Sequence, residues 1–116
     1  MEKRTGGCHC KKVRYEVEID LTQPVIDCNC SNCQIKGLLL AFVPAEQFKL
    51  LSGEEDLVTY KFNKGHIAHM HCRHCGVQPI GKGMGPKGPT VAINVRTIDD
   101  IDPDALVRKP FNGRDL

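Results

Sequence analysis

The sequence predicts a mostly β fold with at most one short helix, and three observations predict it. Apolar residues alternate with charged ones at a period of two in Lys12-Val13-Arg14-Tyr15-Glu16-Val17-Glu18-Ile19. A second apolar run, Leu38-Leu39-Leu40-Ala41-Phe42-Val43, is too short to cross a membrane and is ended by Pro44, which marks a buried strand. No segment carries the i, i+3, i+4 pattern of a long amphipathic helix.

Taken in order, the alternating segment places Val13, Tyr15, Val17 and Ile19 on one buried face of a strand. After a turn at Gln23-Pro24, a short strand at Val25-Ile26-Asp27-Cys28 follows. Ser31 offers a helix cap, Asn32 to Lys36 one helical turn, and Gly37 a stop. Strands are expected at Phe48 to Leu51 and Leu57 to Phe62, around a turn at Ser52-Gly53-Glu54-Glu55. Val77 to Ile80 reads as a strand and Gly81 to Pro89 as a glycine- and proline-rich loop. Thr90 to Val95 makes the last strand, and Asp102-Pro103-Asp104 begins a tail with little periodicity. Seven or eight short strands result.

The 116 residues are too few for two independent cores, so a single domain over 1–116 is expected. The core is thin: there is no Trp, with only two Tyr and four Phe. A net charge of +2 without a cationic run argues against nucleic acid as the main partner. The first residues lack the apolar core of a signal peptide, and no apolar run reaches membrane-spanning length, so a cytoplasmic protein with no membrane partner is expected. Exposed strand edges leave room for a homo-oligomer.

Seven cysteines fall into three groups: Cys8 and Cys10; Cys28, Cys30 and Cys33; Cys72 and Cys75. In a reducing compartment such spacing favours metal ligands over disulfides, and an odd total cannot be fully paired within one chain. Residues i and i+2 of an extended segment share a face, so each CxC can present two sulfurs to one ion. A disulfide across so short a span would close a strained ring. Cys72-Arg73-His74-Cys75-Gly76 has the form of a zinc knuckle, whose turn aims N–H groups at sulfur and whose glycine permits positive φ. The competing redox reading expects a helix at the CxxC, which Gly76-Val77-Gln78-Pro79 does not begin.

One division joins Cys8, Cys10, Cys72 and Cys75 into a closed site and leaves Cys28, Cys30 and Cys33 with one coordination position for water or substrate. Spacing alone leaves other divisions open, including one in which one of the three is a spare thiol. His66, His69, His71 and His74 crowd the CxxC and are alternative ligands, with His69 and His71 on one face. The glycine loop lacks the Lys-Ser or Lys-Thr ending of a phosphate-binding loop.

Gly6-Gly7-Cys8-His9-Cys10 with Val13-Arg14-Tyr15-Glu16-Val17, then Cys28-Asn29-Cys30-Ser31-Asn32-Cys33 with Gly37, then Cys72-Arg73-His74-Cys75-Gly76, resembles the glutathione-dependent formaldehyde-activating enzyme (GFA) family, which includes centromere protein V. Val91-Ala92-Ile93-Asn94-Val95-Arg96-Thr97-Ile98-Asp99-Asp100 resembles that family's closing strand and turn. The resemblance implies a small zinc-stabilised fold of two packed antiparallel sheets, shared with a Rab-binding exchange chaperone, and two zinc ions per chain. It implies a structural zinc on Cys8, Cys10, Cys72 and Cys75 and a catalytic zinc on Cys28, Cys30 and Cys33. It also implies a carbon–sulfur lyase joining glutathione and formaldehyde into S-hydroxymethylglutathione, with a small-molecule thiol as the partner.

In that chemistry a thiol entering the open position loses its proton and adds to the carbonyl carbon. His66, His69, Arg73 and Lys82 are candidates for the general acid, and Lys36 for holding a glutathione carboxylate. The chain departs from the family in its shorter length and in Lys11-Lys12 after the first CxC. The rival reading is a non-catalytic zinc scaffold that binds a protein or chromatin, and a third is a redox sensor that releases zinc on oxidation.

Overall fold

The computed structural model describes residues 1–61 and 67–115. Strands β1 (Glu2–Gly7), β2 (Arg14–Ile19) and β5 (Phe48–Ser52) form a three-stranded sheet in the order β1-β2-β5. The second sheet has the order β10-β3-β4-β9-β8-β7-β6. Its strands are β3 (Val25–Cys28), β4 (Leu40–Pro44), β6 (Leu57–Tyr60), β7 (Ala68–Cys72), β8 (Ile80–Gly85), β9 (Gly88–Asn94) and β10 (Arg108–Phe111). Every pairing is antiparallel except that of β3 with β10, which is parallel. One helix, α1 (Ser31–Lys36), and several 3-10 turns complete the described residues. None of these helices is long and apolar enough to cross a membrane.

The alternation in β2 works as the sequence predicts. Tyr15, Val17 and Ile19 are buried and meet Val43, Ile80, Val91 and Ile93 of the larger sheet, with Val95 and Ile98 closing the layer. Tyr15 is the largest fully buried side chain, and its hydroxyl is satisfied by Thr97 Oγ1 at 2.7 Å. Arg14 grips Asp99 through both guanidinium NH2 groups, and Thr5 Oγ1 donates to the same carboxylate at 2.8 Å, tying β1 and β2 to the turn after β9.

The opposite face of the larger sheet is what positions the functional groups. Directly opposed residues point to one side of a sheet. The register Tyr60↔His69, His69↔Gly81, Gly81↔Ala92 and Ala92↔Phe42 therefore lays the side chains of Tyr60, His69, Ala92 and Phe42 in one row, with Gly81 among them, on the face away from the core. Helix α1 lies on this face, where Cys33 packs with Leu38, Leu40 and Ala92.

The sequence expectations differ from the fold at several places. Ten strands form among the described residues rather than seven or eight, and of the strand expected at Val77 to Ile80 only Ile80 is in one. Gly81 to Pro89 is a hairpin rather than a loop: β8 and β9 are joined through Pro86-Lys87, with Gly85 opposite Gly88. Glycines there are strand residues; a side chain at Gly85 would place its Cβ 2.5 Å from Thr90 Oγ1. Strand β1 arises where no alternation marks it, because it pairs along its whole length with β2. The tail forms β10, whose four residues are all exposed and leave no hydrophobic signal. Helix α1 is capped by Cys30, whose sulfur accepts from Cys33 N, so that Ser31 is the first helical residue and not the cap; Gly37 ends the helix with φ 69°, as its position suggests. Phe62, the predicted end of the sixth strand, lies outside the described residues.

Candidate metal centres

The chain gathers its cysteines into two groups, and the division is four and three. Cys8 and Cys10 sit on the turn between β1 and β2, not on an extended segment. That turn is closed by Cys8 N donating to Val13 O (3.1 Å) and Lys11 N to Cys8 O (3.2 Å), with Lys11 at φ 69°. Cys72 ends β7, and Cys75 follows on a tight turn closed by Gly76 N donating to Cys72 O at 2.9 Å, with Gly76 at φ 82°.

In both turns a backbone N–H reaches sulfur: Val13 N to Cys8 Sγ and His74 N to Cys72 Sγ, each at 3.4 Å. Such donors stabilise thiolates. Cys8 and Cys72 are buried among Val13, Leu57, Leu50, Met70 and Val77, whereas Cys10 is exposed.

These four residues fit a zinc ion. Their sulfurs lie within 4.8 Å of one another, with Cys8 to Cys10 at 3.5 Å and Cys10 to Cys72 at 3.6 Å. A tetrahedral ion with Zn–S bonds of about 2.3 Å sets its sulfurs about 3.8 Å apart. The electrostatics agree. Slight desolvation raises the Cys75 thiol, but the N–H groups of Val77 and Cys10 and the Cys72 and Cys8 thiols bring it down to about 6. At Cys10 the Lys12 N–H favours the thiolate, yet desolvation and the three neighbouring thiols push it up to about 11. Four thiols at this spacing cannot all ionise side by side unless a cation is shared among them.

The second group, Cys28, Cys30 and Cys33, also has its sulfurs within 4.8 Å of one another. Cys30 N donates to Cys28 Sγ at 3.4 Å and Cys33 N to Cys30 Sγ at 3.3 Å. Partial burial raises the Cys30 thiol, but the N–H of Cys33 together with the Cys33 and Cys28 thiols lowers it on balance. Burial pushes the Cys33 thiol well above its ordinary range. No fourth His, Cys, Asp or Glu joins this group among the described residues. These three sulfurs could hold a metal ion.

Next to α1 is a polar cluster that no spacing announced. Asn32, His69, Gln78 and Asn94 are all buried. His69 Nδ1 lies 3.2 Å from Asn32 Nδ2 and 3.4 Å from Gln78 Nε2. Gln78 Oε1 accepts from Lys36 Nζ at 2.8 Å, and Asn94 Nδ2 donates to Gln78 O at 2.9 Å. The ammonium must face the amide oxygen, so the Gln78 nitrogen faces His69, and Nδ1 of the imidazole is the acceptor. The ring proton then belongs on Nε2. Burial, followed by the charge of Lys36, lowers the His69 pKa and keeps the ring neutral.

The remaining candidates separate clearly. Lys36 Nζ also lies 5.6 Å from the centre of the Tyr60 ring. Arg73 belongs to the four-cysteine turn, where its N–H donates to Asp56 O at 2.8 Å. Lys82 is opposite Val91 and so faces away from α1, lining a hollow of about 410 Å³ with Phe48 and Leu50. His74 Nε2 contacts Asp56 Oδ1 at 2.7 Å, and neither His71 nor His74 joins a ligand group. His66 lies outside the described residues.

Comparison with known proteins agrees with this construction. Residues 3–110 match the family model described as glutathione-dependent formaldehyde-activating enzyme. The chain belongs to the GFA family. A crystal structure of a Rhodobacter sphaeroides protein is similar at a TM-score of 0.80 and 27% identity, covering 91% of this chain and 97% of that one. The GFA match ends at residue 110, so the segment Phe111–Asp115 lies beyond it.

Proposed function

We propose that this GFA-family protein is a single-domain, zinc-dependent carbon–sulfur lyase that joins a thiol, with glutathione as the leading substrate, to formaldehyde and reverses the reaction. The observation supporting this reading is the pairing of a complete four-sulfur group with a three-sulfur group. Cys8, Cys10, Cys72 and Cys75 would hold a structural ion, and Cys28, Cys30 and Cys33 one with a position for substrate.

A zinc ion held by Cys28, Cys30 and Cys33 would supply the Lewis acidity that favours the thiolate form of a thiol substrate. In the addition an S–H bond breaks, a carbon–sulfur bond forms, and the carbonyl oxygen gains a proton. His69 is the group proposed to meet that oxygen. Its Nδ1 is held by Asn32 on the helix that carries Cys33, which assigns the ring proton to Nε2. Lys36, steadied by Gln78, supplies a cation for a carboxylate of the thiol substrate.

The test is exchange between formaldehyde, glutathione and their adduct, followed by NMR with protein holding two zinc equivalents. Acceleration of the exchange is expected, and it is expected to vanish in Cys33→Ser. If the loaded protein leaves the rate unchanged across a range of thiols, the lyase reading falls and the non-catalytic scaffold takes its place.

A further inference from the structure

The segment beyond the GFA match folds back onto the three-cysteine site. Strand β10 runs parallel to β3 with Phe111 opposite Cys28, and a 3-10 turn over Gly113–Asp115 follows. Asn29, the residue between the first two cysteines, is bonded to this segment three times. Its N–H donates to Phe111 O at 3.0 Å, its Nδ2 to Asn112 Oδ1 at 3.1 Å, and its Oδ1 accepts from Arg114 N at 2.9 Å. Arg114 also donates to Gln34 on α1, and Asn112 Nδ2 to Asp115 Oδ2 at 2.7 Å.

These bonds press Gly113 against the sulfurs' own backbone. A Cβ at position 113 would lie 2.5 Å from Cys28 Sγ and 3.2 Å from Cys30 Cβ. Gly113 therefore packs directly on the Cys28 sulfur, and a side chain at this position would force that sulfur to shift. The other two sulfurs are fixed locally, Cys30 as the cap of α1 and Cys33 by burial within it. Cys28, at the end of a strand with a single paired residue on its other side, has the Cys30 N–H at 3.4 Å as its local restraint, and Gly113 packs on the same sulfur from the tail.

We propose that Phe111–Asp115 is a clamp that holds the Cys28 sulfur in its ligating position, with Gly113 as the positioning residue, and so sets how tightly the three-cysteine site retains metal. This rests on the reading of that cluster as a metal site. Ligand-orienting contacts of this kind change metal affinity by about 10–100-fold when removed.

The experiment is chelator-competition titration of zinc in the full chain, with Co²⁺ substitution as a second readout. Wild type, Cys28→Ser, Gly113→Ala and Asn112→Ala are compared. Wild type is expected to hold two equivalents and Cys28→Ser one, which assigns the phases. Gly113→Ala is expected to weaken the phase lost in Cys28→Ser by about 10–100-fold and to shift its thiolate-to-Co²⁺ charge-transfer band, with the other phase unchanged. Asn112→Ala, which leaves the sulfurs untouched, is expected to weaken the same phase less, and it decides the matter if Gly113→Ala does not fold. Two equivalents in wild type with both phases unaltered in the variants overturn the clamp, as does equal weakening of both phases. A single equivalent in wild type, or no loss in Cys28→Ser, overturns the metal-site reading itself and the clamp with it.

Discussion

His69 Nδ1 lies 3.2 Å from Asn32 Nδ2, joining the start of β7 to the helix that carries Cys33. Because Gln78 presents its nitrogen to the same Nδ1 and its oxygen to Lys36, the imidazole is held in one tautomer. His69→Gln is expected to lower the exchange rate by about 100-fold or more, the range for loss of a positioned proton donor. Its zinc content is expected to stay at the wild-type value, which separates this role from ligation. Loss of zinc in His69→Gln, or an unchanged rate, counts against the assignment.

Lys36 is at the end of α1, with its ammonium between Gln78 Oε1 and the Tyr60 ring. Burial lowers its pKa and the nearby Cys33 sulfur partly offsets this. Lys36→Ala is expected to raise the KM for glutathione several-fold with little change in kcat, since it removes binding common to ground and transition states. A small thiol without carboxylates, such as 2-mercaptoethanol, is the control. Equal losses with both thiols would remove Lys36 from substrate recognition.

The sheet core and the three cysteine groups were legible because each rests on local pattern, whereas spacing leaves open the joining of Cys8 and Cys10 to Cys72 and Cys75, which comes with the family resemblance. Val13, Tyr15, Val17 and Ile19 declare a buried face by alternation, and all four are buried. Cys72-x-x-Cys75-Gly76 declares its turn by the need for positive φ. Three features were hidden because their causes are distant in sequence. Asn32, His69 and Gln78 meet only once α1 packs on the sheet, and none has a spacing that foretells the others. Strand β10 has no buried residue, being defined wholly by backbone bonds to β3. Gly113 lies in the tail, where no motif marks it, and only its approach to Cys28 singles it out.

Tyr15 gives a pH dependence with a defined sign. Burial raises its hydroxyl to about 12, although the Thr97 hydrogen bond works the other way. The unfolded chain ionises this group at about 10, so the neutral form favours the fold. That stabilisation is complete below about pH 10 and is lost as pH rises toward 12. Tyr15→Phe, lacking the bond to Thr97, is expected to be about 1 kcal/mol less stable at pH 8. Denaturant titrations are expected to show this gap closing, then reversing, between about pH 10 and pH 12. A gap that stays constant over that range would show that Tyr15 is not what couples the fold to alkaline pH.

The two cysteine groups differ in what they tie together, and the difference predicts their separate effects on stability. Cys10 and Cys72 are 62 residues apart, and their group fastens the β1–β2 turn of the smaller sheet to the end of β7 in the larger one. An ion there constrains a long loop and staples two layers, and metal bound to thiolates supplies about 10–16 kcal/mol in small zinc domains. Cys28, Cys30 and Cys33 lie within six residues and fasten only the end of β3 to the adjoining start of α1. Cys72→Ser is therefore expected to abolish the cooperative thermal transition. Cys33→Ser is expected to keep it, with Tm lowered by a few degrees and one zinc equivalent missing. Graded addition of chelator is expected to remove the three-cysteine metal first, without loss of β-sheet circular dichroism, and to unfold the chain only when the second equivalent leaves. Unfolding that accompanies the first equivalent, or a cooperative transition that survives in Cys72→Ser, would reverse the assignment of structural and substrate-binding sites.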